Sequence, residues 1–452
     1  MAQIRIGGDS AQQQSRHGAS LREHPLRDTL LGEVHARPSH PLTPPAHVSH
    51  IALLSDTDEH QTEYDHLVRL CQREGIAPPS AESNHFLATI NRLQLRWERH
   101  TEFSTFTFVS HESGEYPFAQ SAIDKAPTDW LDGVAAELMV AVHISVLRAS
   151  DVSDVDAMVR EQFDSTSLVG SACAGGAASV WTDFRAAPDG FTRILVIDHH
   201  LTPNQAGRLI QRLLEVETYR LMALLAFPLA RQTTPELGAM ESELGDLTDH
   251  MADVRDVNDE RNLLVELSDL AARIERQIAR TNFRFSAASA YAAVLRRRIQ
   301  FLREQRIEGV QTIWEFMERR LAPAMDTCES VSDRQDRLSK RVSRAANLLR
   351  TRVDVALEGQ NRDLLDSMNR RVRLQLRLQE TVEGLSVVIL SYYTVSLVGY
   401  GAKALKAAGL SVPVDIVVGL SIVPVVAVMW YGMRRIRRTV TRAEAPPEPP
   451  EG

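Results

Sequence analysis

Apolar residues change their spacing twice along this chain of 452 residues. Between about residues 45 and 200 they recur at every second position in short runs, the period of half-buried strands. His47 to Ser55 reads as the first strand, and Thr101 to Ser110 alternates Phe103, Thr105 and Thr107 with Ser104, Phe106 and Phe108. Phe86 to Arg99, Leu138 to Leu147, Ser167 to Ala172, Ser179 to Arg185 and Phe191 to Asp198 complete about seven strands. A helix over Glu59 to Arg73 and a short one near Trp130 interrupt them, so this region is expected to be α/β or α+β.

At Thr202 the period lengthens to that of a helix. Thr202-Pro-Asn-Gln205 is a capping box with Pro in the first turn. Helical spacing then holds nearly to the C-terminus. One long helix is expected over Glu236 to Arg280, with heptad-like Met240, Leu244, Leu247 and Met251 continuing into Leu267 and Ile274. Another runs without proline from about Val331 to Val382 and on into an apolar stretch. Gly384 to Ala402 and Ile416 to Met433 are uncharged runs of bilayer-spanning length. They form an expected transmembrane hairpin, with Pro424 kinking the second span. Arg370, Arg371, Arg373 and Arg377 precede the pair, and Arg434, Arg435, Arg437, Arg438 and Arg442 come after it. Only Lys403 and Lys406 lie between, so both termini are expected in the cytoplasm of a bacterial inner membrane. The expected organisation is a polar tail (1–20), a cytosolic α/β domain (21–200), a helical stalk (201–383), the hairpin (384–433), and a basic then Pro-rich tail (434–452). The stalk's apolar stripe needs covering by its own antiparallel helices or by copies of itself, so a homo-oligomer is expected.

Composition narrows the function classes. Against 51 Lys and Arg stand 59 Asp and Glu, a net charge of −8, which excludes a dedicated nucleic-acid binder. Three widely spaced cysteines, Cys71, Cys173 and Cys328, offer no zinc ribbon or disulfide framework and read as reduced thiols. No phosphate-loop, dinucleotide or H-E-x-x-H motif occurs, and Gly170 to Gly176 reads as a flexible turn.

Four groups of residues carry candidate chemistry. Glu33, His35 and Arg37 alternate in an extended segment, with His50 coming later on the first strand. Together they are candidates to bind an anion or a metal, or else Glu33 and Arg37 pair structurally. Asp246, Asp249, His250, Asp253, Asp256 and Glu260 recur at three- or four-residue steps. On one helix such a column repels itself, and a divalent cation, facing arginines or solvent would relieve it. Ser386, Tyr393, Ser396 and Tyr400 fall near one face of the first span and either line a polar path or bond to backbone and neighbouring helices. Asp198-His199-His200 ends an apolar strand and resembles the D-H-H signature of metal-dependent phosphoesterases, with Asp151, Asp154 and Asp156 as the clustered partners. No Asp, Glu, Lys or Arg lies within either span, which removes proton-relay signals.

Several segments taken together resemble an uncharacterised bacterial family of membrane-anchored proteins, a domain of unknown function, over about Leu21 to Arg438. They are EVHARP (33–38), VSHIALLS (48–55), RWERHTEF (96–103), VWTDF (180–184), QRLLEVETYRLMALL (211–225) and TVEGLSVVILSYY (381–393). The layout is also loosely similar to CorA-type magnesium channels, pentamers whose first span ends in Gly-Met-Asn. The matching place here reads Gly399-Tyr-Gly-Ala402, then Lys403. That likeness implies an ion transport or channel scaffold. The other expectations are a membrane-tethered binding or scaffolding protein and a metal-dependent hydrolase.

Overall fold

The computed structural model describes residues 24–27, 39–55, 59–111, 116–134, 136–254, 256–408 and 413–443. By internal contacts the chain divides into two units. The first comprises residues 1–250 and 266–345, the second 251–265 and 346–452.

The first unit is built on a nine-stranded sheet. Its strands are β1 (Ala46–Leu54), β2 (His85–Ile90), β3 (Leu93–Arg99), β4 (Phe103–Ser110), β5 (Glu137–Arg148), β6 (Val169–Cys173), β7 (Ala178–Ala186), β8 (Thr192–Asp198) and the short β9 (Gln305–Arg306). They lie in the order β2-β3-β4-β1-β5-β8-β7-β6-β9. All pairings are antiparallel except β5 with β8. The alternation of each strand sends its side chains to two separate cores. Ile51, Leu53, Leu95, Trp97, Phe106 and Phe108 face helices α1 (Glu59–Arg73) and α2 (Thr128–Asp132). On the same side α3 (Val155–Gln162) covers Trp181, Leu195 and Ile197. Ala46, Val48, Ala52, Val142, Ile144, Ile194 and Val196 face the other way, into a larger core with α4 (Pro203–Leu224) and residues of the later helices.

Those later helices are α5 (Ala226–Asp253), α6 (Val257–Leu302), α7 (Ile313–Arg320) and α8 (Ala322–Ala407). Within the first unit, α5, α6 and α8 bury Leu237, Leu244, Leu270, Ile274, Leu338 and Val342. Polar rungs fix their register: Arg273 pairs with Glu243, Arg334 Nη2 donates to Glu241 Oε2 at 2.7 Å, and Thr281 Oγ1 donates to Gln335 Oε1 at 3.1 Å. The stalk helices of this unit thus cover one another.

Two sequence expectations need correction. The helix expected over 236–280 is two helices, because the chain leaves helical geometry after Asp253 and Asp256 Oδ2 accepts the Asn258 N–H at 3.0 Å, starting α6 afresh. The strand expected over 86–99 is a hairpin of β2 and β3, turned by Asn91 (φ 46) and Arg92 (φ 69).

In the second unit α8 continues unbroken to Ala407, and α9 spans Val414–Ala443 with Pro424 inside it. The apolar end of α8, and α9 over Val414–Arg435, are long and apolar enough to cross a membrane. A Cβ on Gly399 would come within 3.2 Å of Val418 Cγ2, and Ser391 and Ala402 are buried, so small residues form the seam between the two helices.

Candidate functional site

Strand β3 carries apolar residues on one face (Leu93, Leu95, Trp97) and polar residues on the other (Gln94, Arg96, Glu98). Strand register continues the polar face across the sheet: Arg96 stands opposite Thr107, and Thr107 opposite His50. Helix α4 crosses above that row. Its Gln211, Leu214, Glu215, Thr218 and Tyr219 share one face at helical spacing and, with Arg298 of α6, enclose a cavity of about 160 Å³. A wider open cleft of about 650 Å³ adjoins it. It shares His100, Phe103 and Tyr219 and adds His60, Asn84, Arg99 and Tyr291.

His50 lies at the floor. Its Nδ1 is 2.8 Å from Thr107 Oγ1 and its Nε2 is 3.2 Å from Thr218 Oγ1. Thr218 spends its own proton on the Leu214 carbonyl at 2.8 Å, so it accepts from Nε2–H, and Nδ1 accepts from Thr107. Burial pushes His50 down to about 3, with Arg96 and His100 adding to the effect, so the imidazole is neutral. Two ion pairs flank it. Arg96 Nη2 meets Glu98 Oε1 at 2.8 Å, and Arg298 meets Glu215 at 2.5 Å. Burial raises the Glu215 carboxyl, against the pull of Arg298. In the wider cleft, Glu102 accepts from Arg284 Nη2 and from the Tyr291 hydroxyl, each at 2.6 Å. Tyr291 stacks on Tyr219 with centroids 5.8 Å apart, and His100 stacks on Phe103 at 4.3 Å. Burial and Glu102 together push the Tyr291 phenol well above its ordinary value.

Charges of both signs act around this cavity. His40 in the adjoining groove is lowered by burial and then by Arg96, with Glu98 opposing. Arg212 on α4 is lowered by burial and then by Arg208, with Glu215 opposing and Arg298 and Arg303 adding.

The residues singled out from sequence fare unequally. His50 is in the cleft, whereas Glu33, His35 and Arg37 lie outside the described residues. The acidic column is divided by the break between α5 and α6. Asp246, Asp249 and His250 are on α5, where Asp249 and His250 are exposed and the His250 ring bonds to the Asp246 carbonyl at 2.9 Å. Asp253 ends α5, Asp256 caps α6 and Glu260 is buried one turn later. Among the described residues no three His, Cys, Asp or Glu side chains group as a metal site, so neither that column nor the D-H-H tripeptide assembles one. Asp198 Oδ1 instead accepts the Leu201 N–H at 2.6 Å, and His199 Nε2 meets Ser179 Oγ at 2.9 Å. Asp154 caps α3. In the first apolar run, Ser386 and Ser396 donate to the carbonyls of Val382 and Tyr392 at 2.9 Å, and Tyr393 and Tyr400 are exposed. Two of those four hydroxyls are therefore bonded to their own helix.

Sequence reasoning missed Arg96, Glu98, Glu215 and Arg298 as site residues. The available signal was Leu93 to Glu98, where Leu93, Leu95 and Trp97 alternate with Gln94, Arg96 and Glu98, so that the polar face of the strand is only half-buried.

A family model described as "Protein of unknown function (DUF3422)" matches residues 22–440. The chain belongs to that family. RWERHTEF and QRLLEVETYRLMALL, which lie within the match, supply Arg96, Glu98 and His100 on one side of the DUF3422 cleft and Gln211, Glu215, Thr218 and Tyr219 on the other. A comparison with curated proteins finds no match.

Proposed function

We propose that this protein is a membrane-tethered binding protein whose head takes a small anionic molecule, a carboxylate or a phosphate, in the cleft between β3, β4, β1 and α4. The observation that carries this reading is the Arg96–Thr107–His50 row beneath α4. It sets hydrogen-bonding side chains and two arginines, each held by a carboxylate, around a preformed cavity. The stacked pairs Tyr219–Tyr291 and His100–Phe103 in the adjoining cleft suit a planar portion of the same ligand. The tether is the pair of apolar C-terminal helices. Its flanking arginines favour a multi-pass arrangement in the inner membrane with both termini in the cytoplasm. The exposed Leu364, Leu365, Met368 and Val372 of α8 favour association with further copies.

Full-length protein in detergent tests the ligand. Inorganic phosphate, citrate and a nucleoside monophosphate are titrated while thermal unfolding is followed. At least one should stabilise saturably, by about 2.7 kcal/mol at a hundredfold excess over its Kd, and Arg96→Gln should abolish the response. No stabilisation by any anion, or an unchanged response in Arg96→Gln, would remove the proposal. Flux of magnesium, cobalt, nickel or zinc into liposomes carrying the protein would instead establish an ion-transport scaffold.

A further inference from the structure

A second cavity lies on the opposite face of the sheet, beneath α1. That helix buries Leu67, Leu70 and Cys71 against the sheet, and Glu63, one turn before Leu67, is carried into the same core. Glu63 is only 7% exposed. Its Oε1 accepts the Trp97 indole N–H at 2.6 Å. Its Oε2 is buried and has no hydrogen-bond partner among the described residues. A buried carboxylate with one oxygen unsatisfied is costly, and native structures seldom keep one without use.

Glu63 lines a cavity of about 240 Å³ whose other walls include His66, Arg69, Phe106, Val134 and Ala136. The His66 ring is already committed. Its Nε2 donates to the Trp130 carbonyl at 2.8 Å, its Nδ1 accepts from Arg69 Nη2 at 3.2 Å, and it stacks on Trp130 at 4.9 Å. Glu63 lines this cavity, so its unsatisfied Oε2 is the acceptor that a guest satisfies once the carboxylate turns to the opening. The guest must bring a donor, and a positive charge matches the carboxylate best. Phe106, Val134 and Ala136 ask for an apolar remainder.

We infer that this cavity is a second binding site, for a small primary amine with an apolar body whose ammonium donates to Glu63 Oε2. A carboxylate on the same guest would meet Arg69, which is exposed at the rim. Free amines and apolar amino acids share the required ammonium, and the guanidinium tells them apart.

Trp97 bonds to Glu63 and Trp130 stacks on His66, so tryptophan fluorescence of the full-length protein in detergent reports occupancy. The probes are isobutylamine, L-leucine, isobutanol and isobutyrate. Both ammonium-bearing probes should give saturable changes, and isobutanol and isobutyrate none. Glu63→Gln keeps an acceptor for Trp97 and should weaken binding by about tenfold or more. Ala136→Leu fills the cavity with the carboxylate intact and should block both amines. If leucine binds more tightly than isobutylamine and Arg69→Ala equalises them, the guest is an amino acid. Equal binding from the outset identifies a simple amine. No saturable response to either amine, an equal response to isobutanol, or full binding by Glu63→Gln overturns the inference. Cooperative urea unfolding certifies the fold of each variant, so that the outcome here is read separately from the α4 cleft.

Discussion

His50 and His143 make the head acid-sensitive. His143 is 6% exposed, with Ser49 Oγ 2.9 Å from its Nδ1 and the Phe191 ring stacked at 3.9 Å. Burial lowers its pKa to about 4, with Asp189 and Asp124 opposing and Arg193 and His47 adding. His50 falls to about 3. In the unfolded chain both titrate near 6.5. Between the two values the unfolded state binds more protons, so stability rises with pH there. It is complete above about pH 6.5 and is lost as the solution is acidified towards pH 4 for His143 and pH 3 for His50. Each contributes a slope of up to about 1.4 kcal/mol per pH unit within its window. Glu215 and Glu304, raised by burial, act in the opposite sense at the acidic end, so the test compares variants rather than absolute curves. Urea unfolding of full-length protein at pH 7 and pH 4.5 should show a smaller loss on acidification for His143→Gln than for the wild type. An equal loss would mean that His143 is already protonated in the fold.

Helix α4 shows both what its sequence discloses and what it hides. The capping box is where the pattern placed it, with the Thr202 N–H donating to Gln205 Oε1 at 2.9 Å. Leu209, Leu213 and Val216 mark its apolar stripe and are buried. Glu217 is fully buried as well. It is held by Arg220 Nε at 2.8 Å and by the Thr192 hydroxyl at 3.0 Å, and the Arg220 guanidinium lies over the Phe184 ring at 5.2 Å. Removing one member of such a pair leaves a buried charge alone. Glu217→Ala should cost about 3–5 kcal/mol in urea unfolding, and the double variant Glu217→Leu with Arg220→Leu should recover much of it. A loss below about 1 kcal/mol would show that water reaches the pair. Periodicity cannot reveal this, because Glu217 looks like an exposed position until Thr192 and Phe184 arrive from distant strands. The same limit governs the cleft. Strand and helix spacing located β1, β4, β5 and α4, but the meeting of Arg96 with Thr107 and His50 is set by register. The β2–β3 turn was invisible for a local reason: Asn91-Arg92 takes two positive φ values without a glycine to announce them. The break before α6 was hidden by acidic residues that read equally well as helix surface and as caps.

The two units expose very different surfaces. The first encloses most of its apolar side chains between sheet and helices, leaving scattered ones such as Leu87, Leu138 and Phe283 exposed. The second leaves Leu385, Val388, Leu397, Ile416, Leu420, Val423 and Val428 between 60% and 77% exposed, and the described part of α9 contributes nothing to the buried core. Burying one such side chain is worth about 1.5–3 kcal/mol, so a row of them left in water would be a heavy standing cost that a hydrocarbon layer removes. On the membrane-tethered reading proposed above, a helix that ends in Lys403 and Lys406, between groups of four and five arginines, would cross that layer with the arginines on the cytoplasmic side. The expected outcome is that the protein remains with membranes after alkaline carbonate washing. A membrane-impermeant maleimide applied to intact spheroplasts should label Lys406→Cys and leave Asp366→Cys untouched until the membrane is opened. The natural thiols should not confuse the assay, because Cys71, Cys173 and Cys328 are all buried. Burial also raises the thiol pKa of each, Cys328 to about 11, which keeps them protonated at the pH of labelling. Labelling of Asp366→Cys from outside would reverse the orientation and place the α4 cleft in a different compartment. Release by carbonate would mean that another protein, rather than lipid, covers these two helices.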